Sequence, residues 1–250
     1  NVIWPDFQKK VEKFILKNAD IITTVSQGIS MKMMDLHHNV HTITKGVNKR
    51  EPKVAYEIFT IHYSGSLFQD FRDPRPLFRS LQKLIDEGRI KENEIQFLYA
   101  GKDGQLMTQW VNECGIIEIF VNQGMVSRNE AIEMQDRSHI NLLLTSASDD
   151  HTGLLTGKLF EYIEAGKQIL CIVKGSKDLE IEALFDKFGL GTVFYSEGKL
   201  SDYIYEKYLE FKKTGKVKSN QNHEKVFQDL SWQHQADKVL QLIDNQVDIK

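Results

Sequence analysis

Short apolar runs alternate with amphipathic segments along this chain, and that alternation restricts its fold more than any other feature. The runs are Ala19–Ser26 (ADIITTVS), Ile58–Tyr63 (IFTIHY), Glu94–Ala100 (EIQFLYA), His139–Thr145 (HINLLLT) and Ile169–Val173 (ILCIV), with a shorter one over Gly191–Tyr195. They alternate with helical segments along the chain, each the length of one buried strand and rich in β-branched or aromatic residues. A strand can return to a parallel neighbour only through a crossover, usually a helix, so strands of this kind predict a parallel sheet covered on both faces. The fold class is therefore α/β, a doubly wound parallel sheet. Ligands of such sheets sit outside the carboxyl ends of the strands. The loops at Gly65, at Gly101 and over Ser148–Gly157 each follow a strand, so all three are expected to line that edge.

The segments between the strands have helical period. Phe7, Val11, Phe14 and Ile15 share one face, and so do Leu77, Phe78, Leu81, Leu84 and Ile85. Ser26 is placed to cap a helix running to about Leu36, and Ser127 with Glu130 has capping-box spacing. Further helices are expected over Gln105–Cys114, Asp178–Phe188 and Asp202–Lys213. A polar break over Thr214–Asn222 precedes a last helix with Trp232, Ala236, Val239, Leu240 and Ile243 on one face.

The chemistry concentrates between Ser148 and Val173, SDDHTGLLTGKLFEYIEAGKQILCIV. It reads as loop, helix start, helix to Ala165, stop at Gly166, then buried strand. A loop emptying into a helix start presents unpaired backbone N–H groups and the positive end of the helix dipole, which suits a phosphate. Glu161, one turn in, could accept from a pair of sugar hydroxyls or could simply compensate the dipole.

Composition removes several classes. With 250 residues, 41 % hydrophobic and 27 % charged, the chain is globular, and its net charge of −3 offers no basic field for nucleic acid. Cys114 and Cys171 form no C-x-x-C pair and read as reduced, buried thiols of a cytosolic protein. No apolar run reaches the ~18 to 20 residues that span a bilayer, which leaves only a peripheral contact with the inner membrane face open. His37, His38 and His41 have no partner set of metal-site spacing and are expected in a solvated loop, without metal. A chain starting at Asn1 without Met is expected to be a piece of something longer.

Thr156–Leu170, TGKLFEYIEAGKQIL, resembles the donor-site signature K-L-x-E-Y-x-A-x-G-x-P-I-L of retaining glycosyltransferases of the GT-B fold, family-4 type. The resemblance implies a Rossmann-like domain, the C-terminal half of a GT-B fold, as one main domain with helical extensions. It also implies that Glu161 binds the ribose of a UDP- or GDP-linked sugar. The loop before it, with His151, Thr152, Gly153, Leu154, Thr156, Gly157 and Lys158, would hold diphosphate and sugar. Gly153 stands where many members carry a Glu, and Gln168 replaces the usual Pro. The ADIITTVS run is similar to the last strand of the family's N-terminal domain, and TKGVN (Thr44–Asn48) to the N-G-V-D at the crossing into the C-terminal domain.

The implied organisation is an end of the N-terminal domain over 1–47, a nucleotide-sugar-binding domain over 48–228, and a helix over 229–250 packing back, with the acceptor domain missing. Gly65, Ser66 and Gly101 belong to the implied donor edge. In the same first βα unit Arg72 is the implied diphosphate ligand, with Arg75 in reserve; the alternative for Arg72 is an ion pair with Asp73 or Asp70. Ile116–Val121 with Gly124–Val126 is similar to the short strand near which the base binds. The resemblance assigns no catalytic residue and calls for no cofactor or metal. It implies transfer of a sugar in polysaccharide or glycoconjugate synthesis, by a chain inactive without its acceptor domain. An epimerase of the same fold and a non-catalytic binding module are the alternatives.

Overall fold

The computed structural model describes residues 5–67, 71–148, 153 and 155–247. The chain opens with α1 (Pro5–Asn18), β1 (Ile22–Thr24), α2 (Gln27–Met34) and β2 (Val40–Thr42). Ser26 caps α2 through the Ile29 N–H. β1 and β2 form a two-stranded parallel sheet of their own. The expected strand over Ala19–Ser26 is thus only three residues long, with Thr23 exposed between the buried Ile22 and Thr24.

After a linker the chain winds through β3 (Phe59–Ser64), α3 (Arg75–Asp86), β4 (Ile95–Ala100), α4 (Gly104–Glu113), β5 (Phe120–Asn122), α5 (Arg128–Arg137) and β6 (Ile140–Ala147). It continues through α6 (Gly157–Ala165), β7 (Gln168–Gly175), α7 (Leu179–Phe188), β8 (Gly191–Phe194) and α8 (Leu200–Thr214), and closes with α9 (His223–Leu230) and α10 (Trp232–Val247). The six strands β3 to β8 form one all-parallel sheet in the order β5-β4-β3-β6-β7-β8. This is a Rossmann-like doubly wound topology, in which strand order reverses between β3 and β6. The two strands at the reversal share only the register pairs Ile61–Ile140 and His62–Asn141.

Alternation along single strands shows why both faces need a helical layer. Leu142 and Leu144 of β6 join Leu170 and Ile172 of β7 in a core with Phe59, Ile61, Leu77, Leu81 and Ile204, on the α3, α4 and α8 side. The intervening Leu143, Ile169, Cys171 and Val173 point the other way, against Leu159, Phe160, Ile163, Ile181 and Phe185 of α6 and α7. A run apolar at every position is what period-2 geometry demands of a strand buried on both sides. Each such side chain contributes on the order of 1.5–3 kcal/mol on burial.

Several expectations change. Ile117–Ile119 is a short 3₁₀ turn followed by the three-residue β5, and Gly124–Val126 is not strand. The break after α8 ends at Asn222, whose side chain caps an unforeseen α9 through the Lys225 N–H. His37 is buried rather than solvated: its Nε2 meets the Ala19 carbonyl at 3.0 Å, and it stacks on His38. His41 lies in β2 and bonds Asn39 Oδ1 at 2.7 Å, and no metal-binding group occurs among the described residues. Cys171 is buried as expected, but Cys114, just past α4, is partly exposed rather than buried; both are free thiols. No described helix is long and apolar enough to cross a membrane.

Candidate functional site

The reversal between β3 and β6 is where an open α/β sheet leaves a crevice at its carboxyl edge. On the β3 side, Gly65 continues the ladder by donating its N–H to the Ala100 carbonyl at 2.8 Å, with φ at 134°. The next turn is held by two tyrosines that end neighbouring strands. Tyr63 Oη donates to the Ser66 carbonyl at 2.9 Å, and Tyr99 Oη donates to the Gly65 carbonyl at 3.1 Å while accepting the Asp103 N–H. Asp103 returns the tie by accepting the Leu67 N–H at 2.7 Å. Gly101 is required by close approach, because a Cβ there would overlap Tyr99 Oη and lie 2.5 Å from the Gly65 carbonyl oxygen. Burial pushes the Tyr63 phenol up to about 12, so it stays a donor at any physiological pH.

Two cations converge on this turn. Arg72 Nη1 donates to the Ser66 carbonyl at 3.2 Å. Lys158, in the first turn of α6, donates from Nζ to the Ser64 carbonyl and lies 5.5 Å from the Tyr63 ring centroid. A Cβ on Gly65 would come within 2.5 Å of that ammonium. Burial holds the Lys158 pKa below the ordinary lysine value; the Glu161 charge opposes this in part, and the Arg72 charge adds a smaller depression. Beneath the pair, His62 bonds Asn141 Oδ1 at 2.9 Å, and burial lowers its pKa to about 4, with the Lys158 charge contributing. The base of the crevice is therefore neutral, and its positive charge lies in the layer above.

Thr156 precedes α6 without a side-chain cap, and no acidic residue stands in the first turn, so the Gly157 and Lys158 end of the helix is electrostatically bare. Glu161 is part-buried beside α5. Its Oε2 accepts from Gln135 Nε2 at 3.4 Å, and its Oε1 lies 3.7 Å from Arg128 Nη2. Gly153 is turned away from this cluster. It donates its N–H to Asp178 Oδ2 at 2.9 Å, and with φ at 70° a Cβ would overlap Glu180 Oε2.

The structure thus brings together Gly65, Ser66, Gly101, Arg72 and Lys158, with Thr156, Gly157 and Glu161 on the adjoining helix. His151, Thr152 and Leu154 lie outside the described residues. Of the two carboxylates considered beside Arg72, Asp73 pairs with Arg75, through Nη2 at 2.7 Å and Nε at 2.9 Å. That pairing, with the Arg75 guanidinium 5.0 Å from the Trp110 ring centroid, commits the reserve candidate elsewhere. Asp70 lies outside the described residues. Sequence reasoning missed Tyr63, Tyr99 and Asp103, which build the turn. The available signal was tyrosine as the penultimate residue of two consecutive strands.

A scan against protein-family models finds no match, and neither does a search of curated proteins. Solved structures do match. A sucrose-phosphate synthase from Thermosynechococcus elongatus superposes with a TM-score of 0.68 at 14 % identity, over 98 % of this chain and 63 % of its own. A glycosyltransferase from Rickettsia africae gives 0.64 at 14 %, over 95 % and 66 %. The pneumococcal O-GlcNAc transferase GtfA, solved in complex with UDP and GlcNAc, gives 0.60 at 12 %, over 93 % and 47 %. The chain spans about half to two-thirds of the length of these proteins, and what it shares with them is the fold, the Rossmann-like parallel sheet of a GT-B half.

Proposed function

We propose that this chain is the donor-binding part of a retaining glycosyltransferase that takes a UDP- or GDP-linked sugar. The observation that carries the reading is Lys158 lying across Gly65: a partly desolvated ammonium at the bare start of α6 touches the turn at the end of β3, beside Arg72. Two cations and a helix N-terminus at one sheet reversal suit a diphosphate. In glycosyl transfer the bond from the anomeric carbon to the phosphate oxygen breaks, and negative charge grows on the departing nucleoside diphosphate. Lys158, Arg72 and the α6 dipole would stabilise that charge from fixed positions. Glu161, one turn along and held by Gln135, would accept from the ribose hydroxyls.

Transfer needs a second wall to hold the acceptor and exclude water, which a further domain would supply. The chain alone is accordingly expected to bind donor and transfer little sugar. A second reading, a binding module without transfer, is favoured by Gly153: its pocket has no room for the carboxylate that many relatives place there.

Calorimetry with UDP, GDP and ADP tests the proposal. UDP or GDP is expected to bind, and Glu161→Ala to weaken it by about 1.5–3 kcal/mol, the scale of a charge-assisted bond. No binding of any of the three would sink the donor reading. Full affinity in a folded Glu161→Ala variant would remove Glu161 from the ribose role. Binding that persists without transfer by the full-length protein selects the module.

A further inference from the structure

Three pieces of chain meet at the start of α7. Glu180, in its first turn, accepts the Gln27 N–H at 2.6 Å through Oε1 and the Gly28 N–H at 2.8 Å through Oε2. Those are the first two residues of α2, and Ser26 Oγ takes the third N–H, from Ile29. Two residues earlier, the fully buried Asp178 caps α7 by accepting the Ile181 N–H at 3.1 Å and holds the Gly153 N–H with its other oxygen. Gly153 closes the cluster: the space beside its Cα is filled by Glu180 Oε2, with the Gly28 nitrogen 3.3 Å from where a Cβ would lie.

The arrangement is more specific than helix capping requires. A carboxylate at a helix start is ordinary, but this one comes from the start of α7 and serves α2, 152 residues away in sequence. Its position also depends on residue 153 having no side chain. We propose that Glu180 is a positioning residue that locks the β1–α2 segment to the backbone at Gly153, so that a ligand held at the start of α6 is felt at the start of α2. The coupling to ligand rests on the donor reading given above. Its physical basis is that the loop backbone at 153, the Asp178 and Glu180 carboxylates and the two α2 amides form one continuous hydrogen-bonded and packed unit.

Amide hydrogen exchange at Gln27 and Gly28, measured on the whole chain, tests it. Glu180→Ala is expected to speed exchange of both amides at least tenfold, and Glu180→Gln, which keeps one acceptor oxygen, by less. Gly153→Ala should speed the same two amides by displacing the carboxylate while leaving the β6 and β7 amides at their original rates, which reports that the fold is intact. Added to Glu180→Ala, it should change them no further, the signature of coupled sites. Saturating UDP should slow both amides severalfold in the original chain and not in Glu180→Ala, although UDP still binds.

Unchanged exchange at Gln27 and Gly28 in a folded Gly153→Ala variant overturns the lock. An equal UDP effect with and without Glu180 overturns the coupling to ligand, because plain capping would not need the ligand. Should neither UDP nor GDP bind, the donor reading falls, and the ligand-free exchange rates alone decide whether Glu180 joins the two segments.

Discussion

In the six-stranded sheet Phe59, Ile61, Phe97 and Leu142 are fully covered, whereas Phe7, Phe14 and Ile15 of α1 are 65, 68 and 59 % exposed. The two regions use similar residues at regular spacing, and the spacing succeeds in making a helix in both. What differs is cover. The sheet brings its own helices to both faces, while β1 and β2 form a pair of three-residue parallel strands, too small to bury anything by themselves. The first segment is joined to the rest largely by directional polar contacts: Glu180 to α2, and Arg50 of the linker to Asp136 at 3.0 Å and Glu164 at 2.6 Å. Apolar contact includes Val47 in the α6–α7 core and Gly46 against the Trp232 ring. Amphipathic period predicts that a helix forms and which face is apolar; it carries no information on what covers that face.

The comparison breaks most visibly at Phe97. It packs edge-on to Phe78 at 4.9 Å between ring centroids, and both rings are fully buried. Phe97→Ala is expected to cost about 3–5 kcal/mol in urea denaturation. A loss below ~1 kcal/mol would mean the sheet core is not the stabilising unit.

Next in size is the seam. Arg50 is nearly buried and serves two carboxylates, with Gln135 Oε1 at 3.3 Å as well. Arg50→Ala leaves Asp136 and Glu164 uncompensated in a poorly hydrated place, so a destabilisation of about 3 kcal/mol is expected. If both carboxylates are replaced as well, by Asn and Gln, much of that loss should return. Failure to recover would show that Arg50 acts through packing of its stem rather than through charge.

The fold was legible in the sequence wherever the signal was local. Both helix caps expected from spacing, at Ser26 and at Ser127 with Glu130, are present, because a cap is a contact within four residues. The strands of the large sheet were readable because burial on both faces leaves a continuous apolar run. Strand β5 was overextended, since Ile116–Val121 spends its apolar residues on a 3₁₀ turn that packs by tertiary contact. At the site, Gly65, Arg72 and Lys158 stood out as residue types, but their convergence is a product of strand order, which no local pattern encodes. Of the tyrosine scaffold only the tyrosine near the end of each strand was legible; the ties from Tyr99 to Gly65 and from Asp103 to Leu67, and the Glu180 lock, were not, because each joins positions distant in sequence.

A smaller effect separates the two regions by pH. His62 is buried and neutral in the sheet, with its pKa lowered to about 4 against 6.5 in an unfolded chain. Between those values the unfolded state binds the extra proton, so stability is full above about pH 6.5 and is lost as pH falls toward 4. By pH 4.5 the loss from this group is on the order of 2 kcal/mol. His62→Gln, which keeps a partner for Asn141, should flatten that part of the profile. Denaturation midpoints at pH 7 and pH 4.5 check it: equal slopes in both proteins would remove His62 as the cause.

The smallest effect sharpens the comparison from the exposed side. Phe14 projects from α1 with about two-thirds of its surface in water, so its removal forfeits little burial, and serine has nearly the same helix propensity as phenylalanine. Phe14→Ser is therefore expected to move the urea midpoint by no more than ~0.5 kcal/mol, against several for Phe97→Ala. The same change should lower self-association at high concentration, because contiguous exposed apolar surface drives contact between molecules. Equilibrium denaturation together with light scattering reads both quantities. A stability loss above ~1 kcal/mol would mean that Phe14 is covered within this chain and that α1 belongs to the same cooperative unit as the sheet. Unchanged stability with reduced association would mark the α1 face as a surface that another body of matching shape is needed to cover.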